Sequence, residues 1–267
     1  MKLFFRKYGT GPPLIILHGL YGSSDNWVSL AKSISDKFTV YLPDQRNHGQ
    51  SPHSEVHDYK SMKEDLYELA RDLGLEKFFL AGHSMGGRTA MAFAMSWPER
   101  LYGLLVGDIA PFSSGEKYSA AFSSQSEILE SMLSVNLEGL KSRDEIEAIL
   151  SQKISSPGVR GFIMKNLRRL QEDSFAWKLN VPVLKLNLEE IIRGIKPGKS
   201  DYREVSGFPV LFLKGENSDY ISERDYADIR TLFPGAEFII ISGAGHWIHS
   251  DNPEAVRKSF LELTGVS

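Results

Sequence analysis

Short runs of hydrophobic residues recur along the chain, separated by longer stretches with a different period. The runs are apolar on both faces, which is typical of strands that lie under helices on both sides of a parallel sheet. They are PLIILHG (13–19), FTVYLP (38–43), FFLAGHS (78–84), LYGLLVGDIA (101–110), FPVLFLKG (208–215) and EFIIISGAGH (237–246). The opening KLFFRKYG, turned by GTGPP, predicts an antiparallel strand at the edge of the sheet.

The stretches between these runs have helical periodicity. Helices are predicted near 24–35, 59–73, 85–97 and 253–263; Pro98 ends the third, and Pro253 stands at the start of the last. Alternation of buried strands with helices predicts an α/β fold, with a mostly parallel sheet flanked by helices.

This alternation stops between about Phe112 and Tyr202. The segment has no buried-strand run and contains amphipathic helical stretches such as SEILESMLS, RDEIEAILSQKI and GFIMKNLRRLQ. A structureless loop of that length is improbable, so the pattern favours an inserted helical cap. The predicted division is a core formed by 1–111 and 203–267 and a cap formed by 112–202.

Composition and charge limit the binding partners and the cellular location that we expect. The chain has 267 residues and a formal charge of −3, with charges of both signs interspersed, so neither nucleic acid nor an anionic membrane surface is expected as a partner. It has no cysteine, which excludes disulfides and a thiolate nucleophile. No apolar run reaches the length of a signal-peptide core or a membrane span. We expect a cytoplasmic protein, either a monomer or a weak dimer.

A serine in a knot of small residues is the first candidate for chemistry. Gly82-His83-Ser84-Met85-Gly86 matches G-x-S-x-G, with a predicted strand before it and a predicted helix after it. A turn that lifts one side chain clear of a strand forces strained backbone angles and brings its neighbours close to other backbone. The two glycines fit that demand, so Ser84 is predicted to be a nucleophile on a strand-to-helix turn.

A serine nucleophile needs a base, and the base needs an acid that orients it. Among seven histidines, His246 ends the last strand run in a glycine-rich loop, at the sheet edge where catalytic groups gather. His18 is expected to hydrogen-bond locally, and His83 is expected to point away from Ser84. The spacing of His53 and His57 is that of some metal ligands, but the pattern offers no third ligand, so both are assigned to a solvated loop and no metal is expected.

Several motifs together resemble one superfamily. ILHGLYGSSDNW, DQRNHGQS, AGHSMGG, GDIAP and GAGHWIH occur in the order found in α/β-hydrolases, and they span the chain outside the cap. The NHG, DIAP and GHWIH motifs are most similar to YbfF-type bacterial esterases and related mitochondrial α/β-hydrolase-domain proteins. The resemblance implies the α/β-hydrolase fold and a Ser-acid-His order of catalytic residues.

The identity of the acid stays open between two aspartates. In most members of the superfamily the acid lies three residues after the glycine that ends the penultimate strand, but here that position is Ser218, with Asp219 next to it. The YbfF-type enzymes take their acid from the strand after the nucleophile helix, where Asp108 stands. We favour Asp108 and keep Asp219 as the alternative, although aspartates are also common as loop caps.

The remaining site assignments follow from the same reaction. Acyl transfer needs donors to an oxyanion, and in this fold they are backbone amides, here those of Met85 and Leu20, with Tyr21 as the next choice. No metal or organic cofactor is needed. Aromatic side chains close in sequence to the predicted catalytic and oxyanion residues are candidates for the substrate pocket. They are Tyr21, Phe112, Tyr220 and Trp247.

The predicted function is a serine hydrolase that cleaves carboxylic esters or thioesters of small or acyl substrates through an acyl-enzyme. Two alternatives remain: C–C bond hydrolysis or lyase chemistry on a small metabolite, and a small-molecule receptor with little turnover. A haloalkane dehalogenase is disfavoured, because the strand-to-helix turn holds Ser84 where that chemistry requires aspartate.

Overall fold

The computed structural model describes residues 1–171, 174–195 and 204–264. Its strands are β1 (Phe5–Tyr8), β2 (Pro13–Leu17), β3 (Thr39–Pro43), β4 (Phe78–His83), β5 (Leu101–Gly107), β6 (Leu167–Gln171), β7 (Ser174–Trp177), β8 (Val210–Gly215) and β9 (Ala236–Ile241). Its helices are α1 (Val28–Ser33), α2 (Tyr59–Asp72), α3 (Met85–Ser96), α4 (Gly115–Ser134), α5 (Arg143–Ser151), α6 (Pro157–Met164), α7 (Val181–Leu186), α8 (Leu188–Arg193), α9 (Glu223–Leu232), α10 (Ile248–Asp251) and α11 (Pro253–Thr264).

Seven of these strands form one sheet in the order β1-β3-β2-β4-β5-β8-β9. The pairs from β3 to β9 are parallel, and β1 runs antiparallel to β3 at the edge. The buried strands and the antiparallel edge strand predicted from the sequence are therefore confirmed. Because the parallel strands share one direction, the segments that follow β4, β5, β8 and β9 leave the sheet at the same edge.

The side chains of alternate strand residues pack into two separate hydrophobic cores. In β2, Ile15 and Leu17 face one core while Leu14 and Ile16 face the other. The first core packs under α2 and α3, and the second under α1 and α11. Both faces of the sheet are thus covered, which explains why the strand runs are apolar without alternation.

The segment between β5 and β8, which we call the cap segment, contains α4 to α8 and the hairpin β6–β7. Its helices agree with the amphipathic stretches seen in the sequence. The hairpin does not: 167–171 was predicted as the end of a helix, but α6 stops at Met164 and β6 follows. The helical pattern of GFIMKNLRRLQ was wrong there because Arg168, Arg169 and Leu170 lie exposed on the hairpin, where packing does not enforce a period. The predicted boundary at 202–203 lies outside the described residues.

Two helices at the C-terminal side were not predicted. Helix α9 follows β8 and begins with a capping box in which the Ser222 and Asp225 side chains each bond the other's backbone. The short α10 follows the loop after β9. Among the described residues, no helix combines the length and the apolar character that crossing a membrane requires.

Candidate active site

Ser84 stands at a sharp turn between β4 and α3. Its backbone has φ 55° and ψ −122°, a left-handed conformation that a non-glycine residue adopts only under constraint. A Cβ on Gly82 would lie 2.2 Å from the carbonyl oxygen of Gly86, and one on Gly86 would lie 2.5 Å from that of His18. The two flanking glycines are therefore required by close backbone contacts, as the sequence predicted. The turn presents the serine hydroxyl at the carboxyl edge of the sheet.

Three predicted residues come together at this edge. The Ser84 hydroxyl lies 3.1 Å from His246 Nε2, and His246 Nδ1 lies 2.8 Å from Asp108 Oδ2. Because a carboxylate accepts, Nδ1 carries the proton and Nε2 is left free to accept from the serine. The three side chains come from the ends of β4, β5 and β9 and form one continuous line of hydrogen bonds.

Asp108 is held by more than the histidine. Its carboxylate is fully buried, its Oδ1 accepts from the Gly215 amide at 2.9 Å, and its Oδ2 accepts from the Ser218 hydroxyl. Asp219, the alternative acid, is exposed, and its side chain makes no hydrogen bond to the described residues. The loop after β8 thus contributes a serine that steadies the acid of the β5 loop. Ser218 occupies the position at which most members of the superfamily have the acid, and a role for it was not predicted from the sequence.

His83, the neighbour of the serine, points away from it. Its Nε2 donates to the carbonyl oxygen of His246 at 2.6 Å, so it fixes the backbone of the candidate base. Burial lowers the pKa of His83 well below its usual value, and the nearby His246 and His249 lower it further. His83 is therefore neutral near pH 7 and adds no charge beside His246.

Three more histidines form a buried layer behind the loop that follows β2. His18 Nδ1 donates to the Gly19 carbonyl at 2.8 Å, while its Nε2 accepts from the Gln45 amide at 2.9 Å. His48 and His57 pack in sequence beside it, with ring centroids 5.1 and 5.5 Å apart. Burial is the main cause that lowers the pKa of all three, for His57 to about 3. The assignment of His57 to a solvated loop was wrong, because its ring fills this layer and contacts the Met85 sulfur at 3.4 Å; His53 is exposed as expected.

The loop after β2 is held rigidly at Tyr21. This residue has φ 61°, and its amide donates to His48 Nε2 at 3.3 Å. Its carbonyl accepts from the buried Asn166 side chain at 2.8 Å, and its hydroxyl donates to the Gln125 carbonyl at 3.4 Å. The Tyr21 amide is therefore already used, and the Leu20 amide stays the predicted donor of this loop to an oxyanion. Asn166 and Gln125 belong to the cap segment, and sequence reasoning missed both.

A cavity of about 400 Å³ opens above Ser84, between the sheet edge and the cap segment. Three of the four aromatic candidates for the pocket border it, namely Tyr21, Tyr220 and Trp247. Phe112 is not among the lining residues; its backbone instead pairs with Gly194 where the cap segment joins the core. Most of the cavity surface is apolar, and the apolar side chains that line it include Leu20, Met85, Ile109, Ile128, Val159, Phe162, Ile191 and Ile192.

Arg88 ties the cap segment to the helix that begins at the serine. Its guanidinium is buried and donates to the carbonyls of Ala110, Ile191 and Ile192 at 3.0, 2.8 and 2.8 Å. Ala110 follows β5, where the cap segment begins, and Ile191 and Ile192 lie in α8. A single side chain one turn after Ser84 therefore links the start of the cap segment to α8. Within the described residues, no group of three or more histidines and carboxylates has the arrangement of a metal site.

A serine of positive φ flanked by two close-packed glycines, a histidine and a buried aspartate lie together at the edge of a parallel sheet, in the arrangement that a serine hydrolase requires. The family model for the alpha/beta hydrolase fold matches residues 12–253, and the chain belongs to that family.

Relatives and a solved structure agree with this membership. The chain is 36% identical over 248 residues to the sn-1-specific diacylglycerol lipase ABHD11 of Mus musculus, covering 92% of this chain and 78% of that protein. It is 32% identical over 247 residues to Esterase YbfF of Escherichia coli, covering 92% and 91%. The solved structure of a marine microorganism esterase has a TM-score of 0.92 at 42% identity, covering 98% and 99%. The chain is accordingly a hydrolase enzyme of the esterase and lipase type, and the resemblance read from its motifs is confirmed.

Proposed function

We propose that the chain hydrolyses carboxylic esters through a Ser84–His246–Asp108 triad and an acyl-enzyme intermediate. The observation that carries the proposal is the line of hydrogen bonds from Ser84 Oγ through His246 to the buried Asp108, at the base of a largely apolar cavity. Those contacts match the nucleophile, base and orienting acid that acyl transfer requires.

The proposed reaction has two halves. His246 Nε2 takes the proton of Ser84 as Oγ attacks the ester carbonyl, and Asp108 holds the imidazole in the tautomer that can do so. The amides of Met85 and Leu20 donate to the oxyanion. His246 then protonates the leaving alcohol, and a water molecule cleaves the acyl-enzyme by the same route. Thioesters fit the same steps with a thiol as leaving group.

The cavity sets the proposed substrate size. At about 400 Å³ it lies near the lower end of the range for pockets that hold drug-sized ligands, which is about 300 to 1,000 Å³. We therefore propose short and medium acyl chains as the best substrates. An acylglycerol, the substrate type in the name of the Mus musculus relative, is proposed as a substrate when its acyl chain is short.

The test is turnover of p-nitrophenyl esters from acetyl to dodecanoyl, and of short-chain acylglycerols, by the wild type and by Ser84→Ala. We expect activity that peaks at short or medium chains and falls by up to about a million-fold in the variant. A folded wild type that turns over no ester would overturn the proposal and would favour C–C bond cleavage or ligand binding without turnover. Labelling of Ser84 by a fluorophosphonate gives a second readout that does not depend on the choice of substrate.

A further inference from the structure

Tyr220 lies flat against the imidazole of His246. The ring centroids are 3.7 Å apart and the planes differ by only 16°. The His83 ring also packs on His246, at 4.7 Å and with a tilt of 42°. Tyr220 was expected from the sequence to contact substrate; in the structure it borders the cavity and at the same time covers a face of the candidate base.

This stacking restrains a motion that the hydrogen bonds of His246 leave free. The bonds to Ser84 Oγ and Asp108 Oδ2 are made at the two nitrogens of the imidazole. They fix where the nitrogens point, but they resist rotation about the line that joins the nitrogens only weakly. A ring at van der Waals distance blocks that rotation, because turning the imidazole would push its edge into the tyrosine.

The same contact affects the protonated, positively charged form of His246. When His246 takes the serine proton it becomes positively charged, and the face of an aromatic ring attracts a cation through its negative quadrupole. Burial raises the pKa of the Tyr220 phenol, and the nearby Asp108 raises it further, so the tyrosine stays neutral at working pH.

Among the described residues, the other titratable groups around His246 are Asp108, His83, His249 and Asp251. The Asp251 carboxylate accepts from the Gly245 amide at 2.9 Å and is exposed, so solvent screens its charge. Asp108 opposes the imidazolium charge from the side of Nδ1. Burial is the main cause that lowers the pKa of His83 and of His249, for the latter to about 4, so neither repels the imidazolium near pH 7. The Tyr220 face thus attracts the imidazolium in direct contact with its ring, beside the Asp108 carboxylate.

We infer that Tyr220 is a positioning residue for His246, whose ring face keeps the imidazole aligned between Ser84 and Asp108 and stabilises its protonated form. The inference rests on the proposed function, in which His246 is the general base. Tyr220 acts through the histidine, so its electronic character alters the rate of the chemical step more than the binding of substrate.

The test replaces Tyr220 by phenylalanine and then by 4-fluoro-, 3,5-difluoro- and 3,4,5-trifluorophenylalanine. Each fluorine withdraws electron density from the ring face with little change in size. We expect kcat to fall stepwise by a total of about two- to fivefold, the range expected of an exposed cation–π contact, while KM changes little. The acid limb of the kcat/KM profile moves to lower pH by about 0.4 to 0.7 unit, because the protonated imidazole loses stabilisation.

Tyr226 provides the matched control. Its ring packs against Phe238 with centroids 4.0 Å apart and planes 31° apart, so it is a tyrosine in contact with a ring that does not ionise. The same fluorinated series at Tyr226 reports what fluorine does to packing alone, and we expect kcat and the pH profile to stay unchanged.

Two results would overturn the inference. A kcat and an acid limb that do not move across the Tyr220 series would remove the electrostatic role, and a trend confined to KM would make Tyr220 a substrate contact. Failure of the proposed function is a separate result. If the wild type turns over no ester, the protonation midpoint of His246 followed by NMR across the series still tests the contact, because that titration needs no substrate.

Discussion

Ser218 donates its hydroxyl proton to the same oxygen of Asp108 that accepts from His246. The other oxygen of the carboxylate accepts from the Gly215 amide at 2.9 Å. Three donors therefore replace water around an acid that is fully buried. Because Gly215 ends β8 and Ser218 lies in the loop that follows it, this segment fixes the orientation of an acid that stands directly after β5.

Ser218→Ala is expected to lower kcat/KM for p-nitrophenyl butyrate by about tenfold. A hydrogen bond to a charged group stabilises it by about 1.5–3 kcal/mol, and its loss lets the carboxylate rotate away from the His246 Nδ1–H. Ser222→Ala is the matched control, since Ser222 donates to Asp225 at 2.8 Å at the start of α9, outside the cavity. An equal loss in both variants would contradict a specific role for Ser218.

Asp108→Asn and Asp219→Asn separate the two candidate acids. We expect Asp108→Asn to lower kcat by about ten-thousand-fold, because an amide at this position favours the wrong tautomer of His246. Asp219→Asn is expected to keep activity within about twofold, since its side chain is exposed. Steady-state kinetics of the two purified variants make the comparison, and the reverse order of losses would assign the acid to Asp219.

Asn166→Ala tests whether the cap segment supports the proposed oxyanion donor. Asn166 is buried, and its side chain donates to the Tyr21 carbonyl at 2.8 Å. Without that bond the backbone of Tyr21, which directly follows Leu20, is less restrained. We expect kcat to fall by about tenfold with a small change in KM, because the donor acts mainly on the transition state. Asn136→Ala, at an exposed position of the same segment, should leave both constants unchanged. A change in KM alone would argue against the assignment of Leu20.

The buried histidines predict a loss of stability in acid. The folded pKa of His57 is about 3, below the unfolded value of 6.5, so the unfolded chain binds more protons between these two values. The free energy of unfolding is therefore constant above about pH 6.5 as far as this group is concerned, and falls by about 1.4 kcal/mol per pH unit below it. His18, His48, His83 and His249 shift in the same direction.

Denaturant unfolding measured from pH 4.5 to 6.5 checks this prediction. His57→Gln is expected to lower the slope of stability against pH by about 1.4 kcal/mol per unit, whatever it does to stability at neutral pH. The exposed His53 serves as the control, because His53→Gln should leave the slope as it is. An unchanged slope in the His57 variant would show that its ring does not resist protonation.

The parts of the fold and site that the sequence predicts are those with a local signature. The strands are apolar without interruption because both faces of the sheet are covered, and the serine turn needs Gly82 and Gly86 because their neighbours' backbones are too close for a Cβ. The loop after β2 shows the opposite case. Tyr21 is held by His48 from the core and Asn166 from the cap segment, 27 and 145 residues away in sequence, and no pattern in one chain reveals such pairings.

The burial of polar residues was likewise not predictable from the sequence. His57 lies in SPHSEVHDY, a stretch whose composition indicates a solvated loop, yet its ring is fully buried against Asn47 and Met85. The hairpin β6–β7 was missed because Arg168, Arg169 and Leu170 are exposed, so their sequence does not separate a strand period from a helical one. In both places the tertiary contacts decide the structure, and the local sequence carries little of that information.

The two bonds that Tyr21 makes to the cap segment bear on how this enzyme can be re-engineered. Its carbonyl is held by Asn166 and its hydroxyl by the Gln125 backbone, while its amide is held by the core. Transplanting a foreign cap in order to change substrate range would therefore remove two of the three hydrogen bonds that hold Tyr21 in the loop after β2. A functional chimera has to bring its own equivalent of Asn166, so the cap and the loop after β2 have to be exchanged as one unit.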